Sequence, residues 1–240
     1  MGNGSSRPSL KNCTLWKADR SPACRAVMMA LDAMNINVRE VDVNLDKGEH
    51  RSPEITAVLL ICAYYFFDPT YTYMSVVAIE FFHLSNAIAT YMAARYGASA
   101  SNILLPTDAA GRALVEQYMH FNSSVLYPQY KAASNPILYQ NCRVIAMPTF
   151  CEIHCAYYDL ENILKDRLWF NRGNWPSLGD IMLAATVSTL HILYEGDAVS
   201  GQLQRVTGEV FYITANKKGL AEFAKRIGEL AVKNLVEGTL

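Results

Sequence analysis

Hydrophobic and polar positions change their period along the chain, and that change divides it in two. Cys13 to Trp16 is a short strand-like stretch. Pro22 to Met34 carries Val27, Met28, Leu31 and Met34 at helical spacing and predicts an amphipathic helix. Val38 to Leu45 alternates through Val41, Val43 and Leu45, the period of a half-buried strand. These elements form a β-α-β unit, followed by a polar loop from Asp46 to Pro53. Residues 57–82 are almost continuously apolar, but Asp68-Pro69 interrupts the run and Glu80 lies in its second half. Neither half reaches the ~20 residues that a membrane-spanning helix needs. Rich in Val, Ile, Tyr and Phe, they read as two buried strands. A helix follows over 86–96, with Ser85 as N-cap and Gly97 as its stop. Mixed strands and helices predict an α/β layer domain over residues 1–97, with 1–10 as a flexible leader.

Beyond a loop at Pro106 the pattern is helical, which sets a second, all-α domain over 107–240. Asp108 to Tyr130 carries Leu114, Tyr118, Phe121 and Val125 on one face. A second helical region, Asn135 to Leu168, is expected to break at Pro148. The third opens at Ser177-Leu178-Gly179-Asp180, a capping box. There the serine oxygen is expected to take the N–H of Asp180, and the carboxylate to reach back to the N–H of Ser177. The helix it starts, Ile181 to Leu193, is apolar almost all round and therefore buried. Breaking the box should cost about 0.5–2 kcal/mol or more.

Composition narrows the class. With 240 residues, 51% of them hydrophobic, and a net charge of -1, the chain can bury a large core. It lacks the basic excess of a nucleic-acid-binding protein. Cysteines 13, 24, 62, 142, 151 and 155 fall in no paired disulfide spacing and fit reduced thiols in a cytoplasmic protein. Cys151 and Cys155, with Glu152 and His154 between them, could clip a metal on a helix. Without a second pair they read as ordinary buried thiols, and no metal is expected. Met1-Gly2-Asn3-Gly4-Ser5-Ser6 fits both a myristoylation pattern and a plain flexible leader. A single acyl chain would anchor only weakly, so no stable membrane insertion is expected.

The candidate chemistry starts at Ser21-Pro22. Ser21 falls where an N-cap belongs, and Pro22 falls at the first helical position, where a missing N–H costs nothing. A hydroxyl held at a helix N-terminus beside a strand end suits an anion, and a thiolate is one such anion. The alternative is that Ser21 only caps the helix.

Several segments, in order, carry a resemblance over most of the chain. They are Lys17-Ala18-Asp19-Arg20-Ser21-Pro22-Ala23-Cys24-Arg25-Ala26-Val27, Gly48-Glu49-His50-Arg51-Ser52-Pro53-Glu54, Ser85-Asn86-Ala87-Ile88-Ala89-Thr90-Tyr91, Leu104-Leu105-Pro106, Ser177-Leu178-Gly179-Asp180, and Ala215-Asn216 with Gly219-Leu220. Together they resemble the cytosolic glutathione transferases, nearest to the insect delta/epsilon classes and epsilon-like. The resemblance implies a thioredoxin-like N-terminal domain followed by an all-helical C-terminal domain, assembled as a homodimer. It implies a detoxifying enzyme that conjugates its co-substrate glutathione to hydrophobic electrophiles, with Ser21 donating a hydrogen bond to the glutathione sulfur. His50, Pro69, Ser85 and Asn86 would bind the rest of glutathione. Tyr118, Phe121, Val125, Phe211 and Tyr212 would line the pocket for the second substrate.

The chain departs from the family pattern beside Ser85. Leu84 stands where the family has an acidic residue, and Asn86 where it has Arg or His. The histidine and valine of the family's Asn-Pro-x-His-x-Val-Pro stretch are absent around Pro69. A weakened glutathione site is therefore expected, and a catalytically impaired carrier of apolar ligands is the alternative reading. Losing one charge-assisted contact is worth about 1.5–3 kcal/mol.

Overall fold

The computed structural model describes residues 9–53, 66–67, 84–97, 103–140, 142, 144–165 and 167–193. The β-α-β unit is present. Strand β1 (Ser9–Lys17) pairs in parallel with β2 (Asn37–Asp42), and helix α1 (Pro22–Ala33) connects them. Strand β3 (Phe66–Phe67) pairs antiparallel on the other side of β1, so the described sheet order is β2-β1-β3. β1 begins at Ser9, so it takes in the last two residues of the stretch expected to be leader. It starts well before Cys13 because the parallel ladder runs back to Ser9↔Asn37, with an irregularity between Leu10 and Thr14. The polar loop holds one 3-10 turn, Glu49–Arg51, entered through Gly48 at φ 69, a left-handed backbone that glycine adopts without strain.

Helix α2 (Leu84–Tyr96) places Ser85 inside its first turn rather than at an N-cap. The long helix expected from Asp108 is a rod in three pieces: α3 (Ala109–Phe121), a π-turn (Asn122–Leu126) and α4 (Tyr127–Tyr139). Asp108 caps α3 by accepting from Gly111 N at 2.7 Å. In the π-turn the Ser123 and Ser124 hydroxyls donate to the His120 carbonyl at 3.1 and 2.6 Å, which supports the widened backbone. Pro148 does not break a helix. It lies in the first turn of α5 (Met147–Leu164), where proline fits because that N–H has no intrahelical partner. Cys151 and Cys155 on α5 are exposed, not buried, because the opposite face of the helix carries Ile153, Ala156, Tyr157 and Leu160 into the core. Among the described residues no group of three or more His, Cys, Asp and Glu side chains is gathered as a metal site. Among them, too, no helix is long and apolar enough to cross a membrane.

In helix α6 (Leu178–Leu193) every residue from Leu178 to Leu190 is buried. One apolar core runs through both domains, from Val27, Met29 and Ala30 of α1 to Leu183, Val187 and Leu190 of α6. Gly179 lets α6 press against α3: a Cβ there would stand 3.0 Å from Tyr118 Cβ and 3.1 Å from the Val115 carbonyl oxygen.

The capping box forms with one bond different from expectation. Asp180 Oδ2 accepts from the Ser177 N–H at 2.8 Å and from the Ser177 hydroxyl at 2.6 Å. The serine thus donates to the carboxylate. The other carboxylate oxygen accepts from Phe170 N at 2.9 Å, which ties the preceding loop to the helix start. Burial pushes the Asp180 carboxyl above its ordinary value, and the three donors pull the other way. Asp180→Ala leaves all three donors in a dry interior, at about 1–3 kcal/mol each before relaxation. The expected loss of stability is about 3–5 kcal/mol in denaturant unfolding. A loss under about 1 kcal/mol would mean that the box is dispensable.

Candidate functional site

The turn from β1 to α1 is fixed at every residue. Lys17, itself buried, points its ammonium at Asp19, at Asp42 (2.8 Å) and at Glu40 (3.5 Å). Burial opposes that charge, but Asp19 and Asp42 outweigh it and raise the Lys17 pKa above its usual value. The Ala18 N–H donates to Cys24 Sγ at 3.2 Å, and its carbonyl accepts from Ser21 N at 2.9 Å. Arg20 makes a two-pronged pair with Asp46, both bonds 2.8 Å. Arg25, reaching back from α1, donates to the Asp19 and Arg20 carbonyls at 3.3 and 3.2 Å. Ser21 sits at the end of this braced turn, 5% exposed, with extended backbone at φ -81 and ψ 124.

Ser21 occupies the N-cap position of α1, yet its side chain makes no capping hydrogen bond. An N-cap hydroxyl ordinarily accepts from the second or third helical N–H and adds about 1 kcal/mol of stability. Here the hydroxyl is left for another partner, beside the positive end of a helix that carries no acidic residue in its first turn.

His50 lies half-buried on the 3-10 turn, with Nδ1 buried and unpartnered. Burial, then the charges of Arg51 and Arg20, hold its pKa below the ordinary 6.5. Ser85 is buried (8% exposed) in the first turn of α2. Asn86 donates from its amide to the Met119 carbonyl of α3 at 3.2 Å. It stands at the edge of an open concavity of about 490 Å³ between α2 and α3, lined by Thr90, Tyr91, Glu116 and His120 among others.

Of the expected pocket residues, Tyr118 is core. It is 3% exposed, with its ring 4.8 Å from that of Phe170, because α6 lies directly against it at Gly179. Phe121 and Val125 are half-buried at the edge of the core, Phe121 just before the π-turn and Val125 its fourth residue. Pro69, Phe211 and Tyr212 lie outside the described residues, as does the Leu84 side chain.

Arg25 and Thr189 escaped the sequence reading. Arg25 Nη2 donates to the Ala185 carbonyl at 3.0 Å and to Thr189 Oγ1. A signal for them was present. Helix α6, apolar on nearly every side, still holds Thr186, Ser188 and Thr189, and buried hydroxyls need partners.

No protein-family model matches the chain. Glutathione S-transferase 1 of Manduca sexta is 33% identical over 180 residues, covering 74% of this chain and 77% of the relative. Among solved structures, glutathione S-transferase unclassified 2 from Bombyx mori superposes with a TM-score of 0.78 at 22% identity, covering 91% of this chain and 98% of the other. An epsilon-class glutathione S-transferase from the housefly, Musca domestica, superposes with a TM-score of 0.75 at 24% identity, covering 91% and 98%. The fold is thus a thioredoxin-like domain joined to a helical one. By sequence likeness over three-quarters of its length, carried on that fold, the chain belongs to the insect glutathione S-transferases.

Proposed function

We propose that the protein conjugates the thiol of glutathione to hydrophobic electrophiles, a detoxifying reaction, with Ser21 as the donor that stabilises the thiolate. The observation that carries this reading is a buried serine at a helix N-cap whose hydroxyl does not cap. A free thiol has a pKa near 8.5 and is only a few per cent ionised at neutral pH. One charge-assisted hydrogen bond of about 1.5–3 kcal/mol lowers it by one to two units, enough to populate the nucleophile. The braced turn holds the donor in place before the substrate arrives, so little reorganisation remains. The conjugation forms a carbon–sulfur bond and expels the electrophile's leaving group; proximity of the two bound substrates supplies the rest.

Ser85, at the opening of α2, suits the γ-glutamyl carboxylate, because the first turn of a helix offers unpaired N–H groups. His50 suits the glycyl end as a neutral imidazole. Asn86 spends one amide N–H on the Met119 carbonyl, which leaves it fewer donors for glutathione and supports a weakened site. Naming as transferases among the relatives does not favour a bare carrier of apolar ligands. Epsilon class, a cytoplasmic location and a homodimeric assembly complete the reading.

Ser21→Ala is expected to lower kcat/KM for conjugation of a chlorinated nitrobenzene about 10- to 100-fold, the equivalent of the lost bond. Full activity in that variant overturns the role of Ser21. Calorimetric titration should give measurable but weak glutathione binding; no heat at millimolar glutathione would remove the transferase reading.

The pH dependence of stability tests His50. Its folded pKa lies below 6.5, so the unfolded chain binds more protons between the two values. The contribution of neutral His50 is complete above about pH 6.5 and is lost as pH falls through the folded value. In His50→Gln the acid-side fall of the denaturation midpoint should be shallower. A fall as steep as in the parent protein would show that His50 is not buried as described.

A further inference from the structure

We propose that Arg25 is a positioning residue for the Ser21 hydroxyl, through which α6 of the helical domain holds the reactive turn in place. The proposal rests on Ser21 being the thiolate donor. Arg25 holds that serine and the two residues that lead into it. Its backbone N–H takes the Ser21 carbonyl at 3.0 Å, and its Nη1 takes the carbonyls of the two residues just before, Asp19 and Arg20. Three consecutive carbonyls are thus fixed by one residue.

The other nitrogen of the fork reaches the second domain. Nη2 donates to the Ala185 carbonyl and to Thr189 Oγ1, one helical turn apart on α6. The Thr189 hydroxyl spends its own proton on the Ala185 carbonyl at 2.7 Å, so the lone pair facing Arg25 is the acceptor. Ser188 also donates to that carbonyl, at 3.1 Å. The guanidinium is planar and rigid, so a displacement of its Nη2 end moves its Nη1 end with it. All four side-chain contacts end on neutral oxygens. The arrangement therefore acts as a geometric brace, and α6 in turn is registered by Asp180 at its start.

The test is a double-substitution cycle in the full chain, pairing Thr189→Val with Ser21→Ala. Valine keeps the shape of threonine and lacks the acceptor. The readouts are kcat and glutathione KM with a chlorinated nitrobenzene, and the thiol pKa of bound glutathione from thiolate ultraviolet absorbance. Thr189→Val should raise the bound thiol pKa and lower kcat roughly 3- to 10-fold with KM changed less than about twofold, the size of one lost hydrogen bond. Thr189→Ser should restore the parent values. On the Ser21→Ala background Thr189→Val should have almost no further effect. An equal loss on both backgrounds, or an unchanged thiol pKa in Thr189→Val, overturns the brace and leaves Ser21 as donor. If Ser21→Ala alone leaves the thiol pKa unchanged, the Ser21 reading fails and the brace falls with it.

Discussion

The buried guanidinium of Arg25 is the constraint around which the two domains are arranged. It is fully enclosed, and taking such an ion out of water costs several kcal/mol. Burial brings its pKa down to about 10, which still leaves it charged at neutral pH. The cation therefore needs acceptors, and it draws them from both sides of the domain boundary: Asp19 and Arg20 from the first domain, Ala185 and Thr189 from the second. Neither domain alone satisfies it. Apolar burial between α1 and α6 supplies most of the attraction, but that force has no direction. The guanidinium fork supplies the direction.

Helix α6 is consequently fixed at two points. Asp180 binds its first turn to Ser177 and Phe170, and Ala185 with Thr189 bind its second half to Arg25. Between these points nearly every side chain is buried, so a one-residue rotation would break both polar contacts and expose apolar surface. A further polar tie, from Asn86 on α2 to Met119 on α3, crosses the same boundary at a separate place. The domains are joined by specific bonds laid over a shared core, as the proposed bracing of the Ser21 turn from the helical side requires.

What the sequence revealed divides along the same line. Local rules located α1, its Ser-Pro entry, β2, the α6 cap and the passage to an all-helical half, because each is set by neighbours a few residues away. The misreadings are tertiary. Tyr118 has the spacing of a pocket-lining residue, but Gly179 brings α6 onto it and makes it core. The tie from the Asn86 amide to the Met119 carbonyl, 33 residues on, is likewise invisible to local rules. Pro148 looks like a breaker within a long helical run, and only the real start of α5 at Met147 makes it a first-turn proline. Arg25 lies inside a local motif, yet its partners on α6 are some 160 residues away in sequence, beyond any local pattern.

Ser21 and Ser177 each stand just ahead of a helix, and the two hydroxyls are used differently. Ser177 is fully buried, and its hydroxyl is spent on Asp180 within its own helix start. Ser21 is almost as buried, but its hydroxyl takes no part in capping. Both sites could have used the same economy, because a serine cap is worth about 1 kcal/mol wherever the first N–H groups are free. At Ser177 the sequence supplies a carboxylate three residues on; at Ser21 it supplies Cys24, whose sulfur is already taken by the Ala18 N–H. The first turn of α1 therefore lacks the acid that would neutralise it, and a proline removes one of its donors. What remains is a positive helix end whose serine hydroxyl does not cap, held by a braced turn. A helix end of that kind favours an anion over a neutral neighbour, which supports the proposed thiolate role of Ser21 over a purely structural cap.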